Sequence, residues 1–301
     1  MNGHPPLFRP DRFLGMDAAP GEARWVFFGI PMDFTASYVP GSRFGPDAVR
    51  RASYALETYS WRQQRDLSET GAYDAGDLEL PFGNVPEALE RIRRQARAVL
   101  AEGRRWCAVG GEHLVTVPLV EVLLEQYPDL VVVHWDAHAD LRDTYLDERF
   151  SHATALRRVA DRLRPGHLYQ FGIRSGTAEE AAYIAARPVH SFPDEVYRPL
   201  AAVREQLAGR PVYLTVDLDV IDPAYLPGTG TPEPGGIPAR EALEALTLLQ
   251  GLEVVGMDLV EAAPLADTSQ RTAVLAAKMV REALIAVSAA AAGTGGKEGQ
   301  A

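Results

Sequence analysis

Residues 130–140 read LVVVHWDAHAD, an apolar run that leads directly into a segment rich in acids and histidine. A short run of apolar and β-branched residues is typical of a buried strand. In extended backbone, residues two apart share a face, so Asp136, His138 and Asp140 are expected to point together from the strand end. This stretch predicts a buried strand with a polar cluster at its carboxyl end.

Similar runs recur along the chain, with helix-like segments between them. Further strands are predicted at 25–30, 106–110, 168–172, 212–217 and 253–259. Helices are predicted at 86–102, 117–126, 152–163, 178–186, 193–208, 238–249 and 269–291. Alternating strands and helices indicate an α/β fold with a parallel sheet covered by helices on both faces. Ligands of such sheets bind beyond the carboxyl ends of the strands, so the residues there are the candidate site.

Composition places the chain among globular proteins and excludes several functions. The 301 residues are 47% hydrophobic and 24% charged, which argues against a disordered chain. The net charge of −11 disfavours nucleic-acid binding, which needs a clustered positive surface. The single cysteine, Cys107, excludes an intramolecular disulfide and any multi-cysteine metal site. No apolar run reaches the ~20 residues of a membrane span, and a secretory signal is not evident, so we expect a cytoplasmic protein without a membrane partner.

The organisation of the chain predicts a single domain over residues 1–301. Residues 1–23 are rich in Pro, Gly and Arg and are interpreted as an N-terminal arm that packs on the body or on a neighbouring subunit. Residues 293–301 are interpreted as a flexible tail. Between them lies no linker-like stretch, internal repeat or change of composition.

Two further strand ends carry the same kind of polar residues. The run at 212–217 ends in Asp217-Leu218-Asp219, and the run at 106–110 leads into Gly110-Gly111-Glu112-His113. One Asp-x-Asp alone is most often a pair of solvated loop acids, but three such motifs at three strand ends favour a shared site.

Four aspartates and two imidazoles can lie close together only if cations compensate the charge of the carboxylates. Oxygen-rich ligation without sulfur favours Mn²⁺ over Zn²⁺, and six side chains suit a pair of ions that share a water. These residues indicate a metal-dependent hydrolase.

Three motifs resemble the metal-binding signatures of the ureohydrolase family, which includes arginases, agmatinases and guanidinobutyrases. They are GGEH at 110–113, DAHAD at 136–140 and TVDLDVIDPAYLPGTGTPEPGG at 215–236. The resemblance extends from PGSRFGPDAVR at 40–50 to DLVEAAP at 258–264. It implies a three-layer α/β/α sandwich with a mainly parallel central sheet, as in arginases and deacetylases. It also implies two Mn²⁺ per subunit and a homo-oligomer, a trimer or hexamer.

The resemblance assigns the metal ligands residue by residue. One Mn²⁺ would be held by His113, Asp136, Asp140 and Asp217, and the other by Asp136, His138, Asp217 and Asp219. Asp136 and Asp217 would therefore bridge the two ions.

The resemblance also implies roles in turnover. Asp140 would accept a proton from the attacking water and pass it to the leaving amine. His152 looks like the family's proton-shuttling, substrate-contacting histidine, with an ordinary turn histidine as the alternative. Glu261 looks like the carboxylate that grips the substrate guanidinium. Thr231 is a candidate hydrogen-bond donor to the substrate, although a turn role fits nearly as well.

Three positions depart from the family pattern and concern the shape of the pocket. Glu112 and Leu114 stand where the family usually has Asp and Ser, which changes the expected support of His113. Ala153 stands beside His152 where the family usually has Gly. None of these departures removes a ligand.

The implied reaction is hydrolysis of a guanidinium group to urea and an amine. PGSRFGPDAVR and TPEPGG resemble agmatinases and guanidinobutyrases more than arginases, so agmatine is the preferred substrate, with putrescine, a polyamine precursor, as product. The acids Asp143, Asp147 and Glu148 offer partners for the distal ammonium of agmatine. Arg142 favours the alternative, 4-guanidinobutyrate, unless a neighbouring acid pairs with it.

Two other classes of protein compete with this interpretation. A deacetylase-like enzyme shares the expected architecture with a single Zn²⁺, whereas His113 and Asp140 complete a second site here. A non-catalytic metal-binding protein would not need His152 and Glu261. A dinucleotide-binding enzyme is excluded because Glu233 replaces the third glycine of the required motif.

Overall fold

The computed structural model describes residues 12–289, and its centre is a sheet of eight strands. The strands of the chain are β1 (Trp25–Ile30), β2 (Tyr59–Ser60), β3 (Arg65–Asp66), β4 (Ala72–Asp77), β5 (Arg105–Gly110), β6 (Val131–Trp135), β7 (Leu168–Ile173), β8 (His190–Pro193), β9 (Pro211–Asp217) and β10 (Glu253–Val260). The sheet order is β4-β1-β5-β10-β9-β6-β7-β8, and β2 and β3 form a separate antiparallel pair. Each neighbouring pair within the eight-stranded sheet is parallel.

Helices cover both faces of this sheet. They are α1 (Gly45–Ala52), α2 (Val85–Ala101), α3 (Thr116–Gln126), α4 (Ala155–Ala160), α5 (Ala178–Ala186), α6 (Tyr197–Leu207), α7 (Ala239–Leu246) and α8 (Arg271–Ser288). Residues of α1, α6, α7 and α8 build one hydrophobic cluster with the sheet, and residues of α2, α3 and α4 build the other. Alternate residues of a strand enter opposite clusters, as Val131 and Val132 of β6 do. The predicted α/β/α sandwich is confirmed.

Six of the eight sheet strands lie where the apolar runs predicted them, and the two edge strands β4 and β8 were missed. β4 reads AYDAGD and β8 reads HSFP, and both are only partly buried. An edge strand pairs on one side only, so it tolerates polar residues and a proline that the interior of a sheet does not. The periodic apolar signal is therefore weakest at the two edges.

Helix boundaries also differ from prediction in places. The helix predicted from residue 193 begins instead at Tyr197, because Pro193 still belongs to β8. The helix predicted at 152–163 is a short 3-10 turn, His152–Thr154, followed by α4. Helix α1 lies inside the PGSRFGPDAVR motif and was not predicted as a helix.

The described part of the N-terminal arm, residues 12–23, packs on the body of the protein. Phe13 and Met16 are buried in the core, and the Phe13 backbone N–H donates to Asp74 Oδ2 with an N···O distance of 2.7 Å. Residues 1–11 of the arm and the predicted tail at 293–301 lie outside the described residues. Within residues 12–289, no helix is long and apolar enough to cross a membrane.

Candidate metal centre and active site

The four central strands of the sheet converge on one polar cluster. β5, β10, β9 and β6 are consecutive neighbours, and their carboxyl ends lead into the motifs GGEH, DLVEAAP, DLD and DAHAD. Parallel strands end at the same edge of a sheet, so residues separated by more than one hundred positions meet there.

A glycine allows β5 to turn sharply into His113. A side chain at Gly111 would place its Cβ 1.8 Å from the Met32 carbonyl oxygen, so only glycine fits. The Gly111 N–H donates to the Ile30 carbonyl and the Glu112 N–H to the Met32 carbonyl, at 2.8 and 2.6 Å. The chain is thereby held against the end of β1, and the imidazole of His113 enters the cluster.

His113 Nδ1 faces three carboxylates. It lies 3.1 Å from Asp136 Oδ2, and 3.3 Å from both Asp140 Oδ2 and Asp217 Oδ2. The imidazole is 1% exposed, so water does not screen these charges. The structure brings together the four residues predicted to hold the first ion.

The other ring nitrogen of His113 is held by a chain of hydrogen bonds. His113 Nε2 lies 3.0 Å from Thr215 Oγ1, and the Thr215 hydroxyl donates to Asp258 Oδ1 at 2.5 Å. Because the single hydroxyl hydrogen of Thr215 goes to Asp258, Thr215 Oγ1 accepts from His113 Nε2–H. The second oxygen of Asp258 accepts from Tyr213 and Thr116. This tautomer leaves a lone pair on Nδ1.

The lone pair on His113 Nδ1 makes the cluster suitable for a cation. Burial lowers the pKa of this ring, but the facing carboxylates of Asp136, Asp140 and Asp217 outweigh burial and raise it well above its ordinary value, so the cluster favours a positive charge at Nδ1. When the ring is neutral, its lone pair meets three carboxylate oxygens. A metal ion between the four groups removes that conflict, and imidazole nitrogen plus carboxylate oxygen is an ordinary ligand set. The residues therefore fit a metal.

A second group of ligand atoms lies beside the first. His138 Nδ1 is 3.0 Å from Asp219 Oδ2 and 3.6 Å from Asp136 Oδ1. Asp136, His138 and Asp219 place ligand atoms close enough together to hold one ion. Backbone N–H groups aim the acids: that of Asp219 donates to Asp217 Oδ1 at 2.9 Å, and that of Ala137 to Asp219 Oδ1 at 3.1 Å.

His134 also meets Asp136, but its protonation makes it an orienting group. Gln170 Nε2 lies 2.8 Å from the Ala139 carbonyl and 3.0 Å from His134 Nδ1, so the amide nitrogen donates to both. His134 Nδ1 is then the acceptor, and Nε2–H donates to Asp136 Oδ2 at 2.8 Å. A protonated nitrogen does not ligate a metal, although its distance to the cluster would allow it.

Burial disfavours simultaneous ionisation of the acids in the cluster. Burial and the Asp136 carboxylate raise the pKa of Asp140 to about 7. Burial, followed by the charges of Asp219 and Asp136, raises the pKa of Asp217 well above its ordinary value. Cations stabilise the ionised acids, which is a second reason why the arrangement suits metal binding.

A pocket opens directly above the cluster. His138, Asp140 and Asp217 form part of its wall, and the predicted residues His152, Thr231 and Glu261 line it as well. Thr231 Oγ1 is 3.4 Å from Asp219 Oδ2. The site residues predicted from the sequence that do not line the pocket, His113, Asp136 and Asp219, lie beneath it and are buried.

Glu261 is fixed at the end of β10 by an unusual backbone conformation. Its φ angle is 66°, in the left-handed region that few side chains adopt. Its Oε1 accepts from the His113 N–H at 2.8 Å, and burial raises its pKa well above the ordinary value. Asp140 has a φ angle of 53°. Strained residues of this kind cluster at functional sites.

The sequence analysis missed several pocket residues. Ser37 lies in the loop after β1, and Glu180 lies in the first turn of α5. Arg142 and Tyr145 also line the pocket, and the Arg142 guanidinium lies 4.8 Å from the Tyr145 ring centroid. Arg142 Nε is 3.8 Å from Glu180 Oε2, so an acid does face this arginine, as one of the two alternatives predicted. Ser37 lies well beyond the end of β1, in a loop whose sequence has no periodic pattern that would indicate a site.

A parallel α/β sheet whose central strand ends gather buried histidines and carboxylates under an open pocket is typical of metal-dependent hydrolases. The chain belongs to the arginase family, whose family model matches residues 23–286. It is 46% identical to the agmatinase of Bacillus cereus over 266 residues, which are 88% of this chain and 92% of the relative.

Solved structures show the same fold. The agmatine ureohydrolase of Thermoplasma volcanium matches with a TM-score of 0.85 at 33% identity, over 93% of this chain and 95% of that one. The proclavaminate amidino hydrolase of Streptomyces clavuligerus matches with a TM-score of 0.86 at 30% identity, over 93% of this chain and 98% of that one. An agmatine ureohydrolase and a proclavaminate amidino hydrolase thus share this backbone, so the fold alone does not define the substrate.

Proposed function

We propose that this chain hydrolyses agmatine to putrescine and urea with two Mn²⁺ ions bound at the strand-end cluster. The observation that carries the proposal is the position of His113 Nδ1, which faces three carboxylate oxygens at 3.1 to 3.3 Å. The 46% identity to an agmatinase over most of both chains supports agmatine as the substrate.

The proposed ligand sets are those that the motifs predict. His113, Asp136, Asp140 and Asp217 hold one ion, and Asp136, His138, Asp217 and Asp219 hold the other. Four carboxylates and two imidazoles without sulfur suit Mn²⁺. When bound, such a pair of ions lowers the pKa of a shared water so that hydroxide is available near neutral pH.

The protein's own residues bind the substrate and move protons. The Glu261 carboxylate on the pocket wall pairs with the planar guanidinium, whose N–H groups match a carboxylate well. An Asp140 oxygen accepts the proton of the attacking water and passes it to the leaving amine. His152 exchanges protons at its ring nitrogen on the pocket side, and the Thr231 hydroxyl hydrogen-bonds the substrate.

A second candidate substrate is 4-guanidinobutyrate, and Arg142 on the pocket wall favours it. Its carboxylate would pair with the guanidinium of Arg142. Glu180 faces this arginine at 3.8 Å and reduces its attraction for an anion, which is why agmatine is preferred.

The proposal is tested by loading metal-free protein with Mn²⁺, counting the bound ions, and measuring urea release from agmatine, 4-guanidinobutyrate and arginine. We expect two ions per chain and the highest kcat/KM with agmatine. One bound ion per chain would favour the deacetylase-like alternative. Two bound ions without urea from any of the three guanidines would favour a non-catalytic metal-binding protein.

Two matched variants refine the test. Asp140→Asn is expected to lose urea release while binding at least one ion, and unchanged turnover would contradict its role in proton transfer. Glu261→Gln removes the charge that faces the guanidinium. It is expected to lower kcat/KM about 10- to 100-fold, as for a lost charge-assisted hydrogen bond.

We also propose a cytoplasmic homo-oligomer, a trimer or hexamer, on the resemblance to the family. Light scattering of the Mn²⁺-loaded protein tests the assembly, and a monomer would contradict it.

A further inference from the structure

Glu112, the residue that departs from the family pattern beside His113, makes its contacts elsewhere. It is 1% exposed. Its Oε2 accepts from the Thr35 backbone N–H at 2.7 Å and from the Thr35 hydroxyl at 2.8 Å. The sequence analysis expected this position to support His113, whereas its side chain instead holds the loop that follows β1.

Thr35 connects Glu112 to His152. The His152 backbone N–H donates to Thr35 Oγ1 at 3.0 Å, and His152 Nδ1 lies 3.3 Å from the same oxygen. Glu112 Oε2 accepts from the Thr35 backbone N–H, and the Thr35 hydroxyl donates to the same oxygen. A threonine hydroxyl has one hydrogen, and here that hydrogen points to Glu112. Thr35 Oγ1 can therefore only accept from His152 Nδ1.

This arrangement determines which nitrogen of His152 carries the hydrogen. With Nδ1 protonated and donating to Thr35, the lone pair lies on Nε2 of a neutral ring. Nε2 is 3.2 Å from the Ser37 hydroxyl, which has a hydrogen to donate. Ser37 and His152 both line the pocket above the metal cluster. Burial and the nearby positive groups lower the pKa of His152 to about 4, in agreement with a neutral ring.

We propose that Glu112 and Thr35 are positioning residues that hold His152 with Nδ1 protonated, so that Nε2 presents a lone pair to the pocket. Neither residue touches the substrate. This inference rests on the proposed function only for the use of that lone pair, which is to take up a proton during guanidine hydrolysis. The tautomer itself is a property of the protein and is measurable without any substrate.

The tautomer is measured by nitrogen-15 NMR of histidine-labelled protein loaded with diamagnetic Zn²⁺. The chain has seven histidines, and a His152→Asn variant assigns the signal of His152. We expect a protonated Nδ1 and an unprotonated Nε2. A protonated Nε2 with a bare Nδ1 in the unmodified protein would overturn the proposal.

A matched pair of variants at Glu112 separates positioning from charge. Glu112→Gln keeps a carbonyl oxygen that accepts from Thr35, so it is expected to keep the tautomer. Glu112→Met has a similar shape but no acceptor, so the Thr35 hydroxyl turns to His152 Nδ1 and the ring hydrogen moves to Nε2. Retention of the original tautomer in Glu112→Met would contradict the proposal.

A second pair at Thr35 keeps the test decisive if Glu112→Met does not fold. Thr35→Val keeps the backbone N–H that binds Glu112 but removes the hydroxyl, whereas Thr35→Ser retains it. Only Thr35→Val is expected to lose the preference for protonated Nδ1. With Mn²⁺ and agmatine it is expected to lower kcat about tenfold while changing KM little. An unaltered tautomer in Thr35→Val would mean that the two residues merely shape the loop.

Failure of the proposed function gives a different result. If no guanidine releases urea but the tautomer follows Glu112 and Thr35 as described, the function is wrong and the positioning stands. If urea is released but the tautomer does not respond, the positioning is wrong and the function stands.

Discussion

At the scale of the residue, Arg142 is the charged group on the pocket wall at which the choice of substrate is best tested. It is the arginine on the pocket wall nearest Glu180, with the two side chains 3.8 Å apart. Arg142→Met removes one positive charge while keeping an apolar stem of similar length. We expect kcat/KM to rise several-fold for dicationic agmatine and to fall for 4-guanidinobutyrate.

The control for this prediction is Arg149→Met. Arg149 is exposed, lies seven positions further along the same loop and does not line the described pocket. The Arg149→Met variant makes the same change in net charge. It is expected to leave the ratio of kcat/KM for agmatine to kcat/KM for 4-guanidinobutyrate unaltered. Equal shifts in both variants would assign the effect to net charge rather than to the pocket.

His152 links the site to the stability of the protein in acid. Its pKa is about 4 in the folded protein, against an ordinary value of 6.5, because burial disfavours the charged ring. The folded state thus prefers the neutral form. The stabilisation that follows is fully present above pH 6.5 and is lost as the pH falls toward 4.

Replacement of His152 should remove that part of the pH dependence. In metal-free His152→Asn, we expect the free energy of unfolding to decline less between pH 6.5 and pH 4 than in the unmodified protein. Denaturant unfolding at several pH values measures it, with His167→Asn at a partly buried site away from the pocket as the control. Parallel curves for His152→Asn and the unmodified protein would show that the ring is already protonated when folded.

Sequence reasoning anticipated which histidine and aspartate residues lie together at the strand ends, because each of these segments directly follows an apolar run. His113, Asp136 and Asp217 are each within three residues of a strand end, and parallel strands bring those ends together. The sequence pattern could not identify Thr35, because this residue lies five residues after β1 in a loop without periodicity. Glu180 was not identified as a pocket residue, because with Thr177 it forms an ordinary capping box at the start of α5, and that role alone accounts for its position in the sequence.

At the scale of the element, one arginine fastens the loop that follows β9. The Arg174 guanidinium donates to the carbonyl oxygens of Asp219 and Glu233 at 2.7 Å each, and also to those of Val220, Gly172 and Pro234. These bonds join the end of β7 to both ends of the segment that carries Thr231. The position of a candidate substrate contact therefore depends on a side chain from another strand.

Loss of this guanidinium should loosen the loop without unfolding the sheet. Arg174→Met keeps the apolar stem but leaves several carbonyl groups without a donor, which should cost about 2–4 kcal/mol of stability. We expect faster amide hydrogen exchange at residues 228–236 and lower urea release. Arg187→Met removes an exposed arginine and serves as the control. Unaltered exchange in the loop of Arg174→Met would show that the loop is held by other contacts.

The sheet strands that sequence reasoning missed are the two edge strands, which are only partly buried. β4 and β8 each pair on one side only, and Asp74 of β4 is buried with Arg50 and the N-terminal arm as its partners. No periodic pattern reveals an aspartate whose partners are this distant in sequence. The central strands lie under helices on both sides, and their apolar runs predicted them to within about a residue.

At the scale of the whole molecule, metal binding should stabilise the fold. The proposed ligands come from the ends of β5, β6 and β9, so bound ions would link three strands of the sheet. A ligand at one hundred times its Kd stabilises the folded state by about 2.7 kcal/mol. We expect Tm to fall on chelation and to recover when Mn²⁺ is restored.

The comparison variant is Asp219→Asn, which removes one proposed ligand. Its Tm should respond less to Mn²⁺ than that of the unmodified protein, whereas the exposed Glu205→Gln should respond fully. Calorimetry with and without the ion measures both. Equal responses in all three proteins would show that the ions bind elsewhere.

The position of β10 in the sheet has a consequence for how the protein is made. β10 is the last strand within residues 12–289, yet it lies between β5 and β9. While the ribosome is still adding residues before 253, the sheet lacks a central strand, and β5 has no neighbour on that side. Neither Asp258 nor Glu261 yet exists to fasten His113. A nascent or truncated chain therefore remains unable to complete the strand-end cluster until residue 261 has been added.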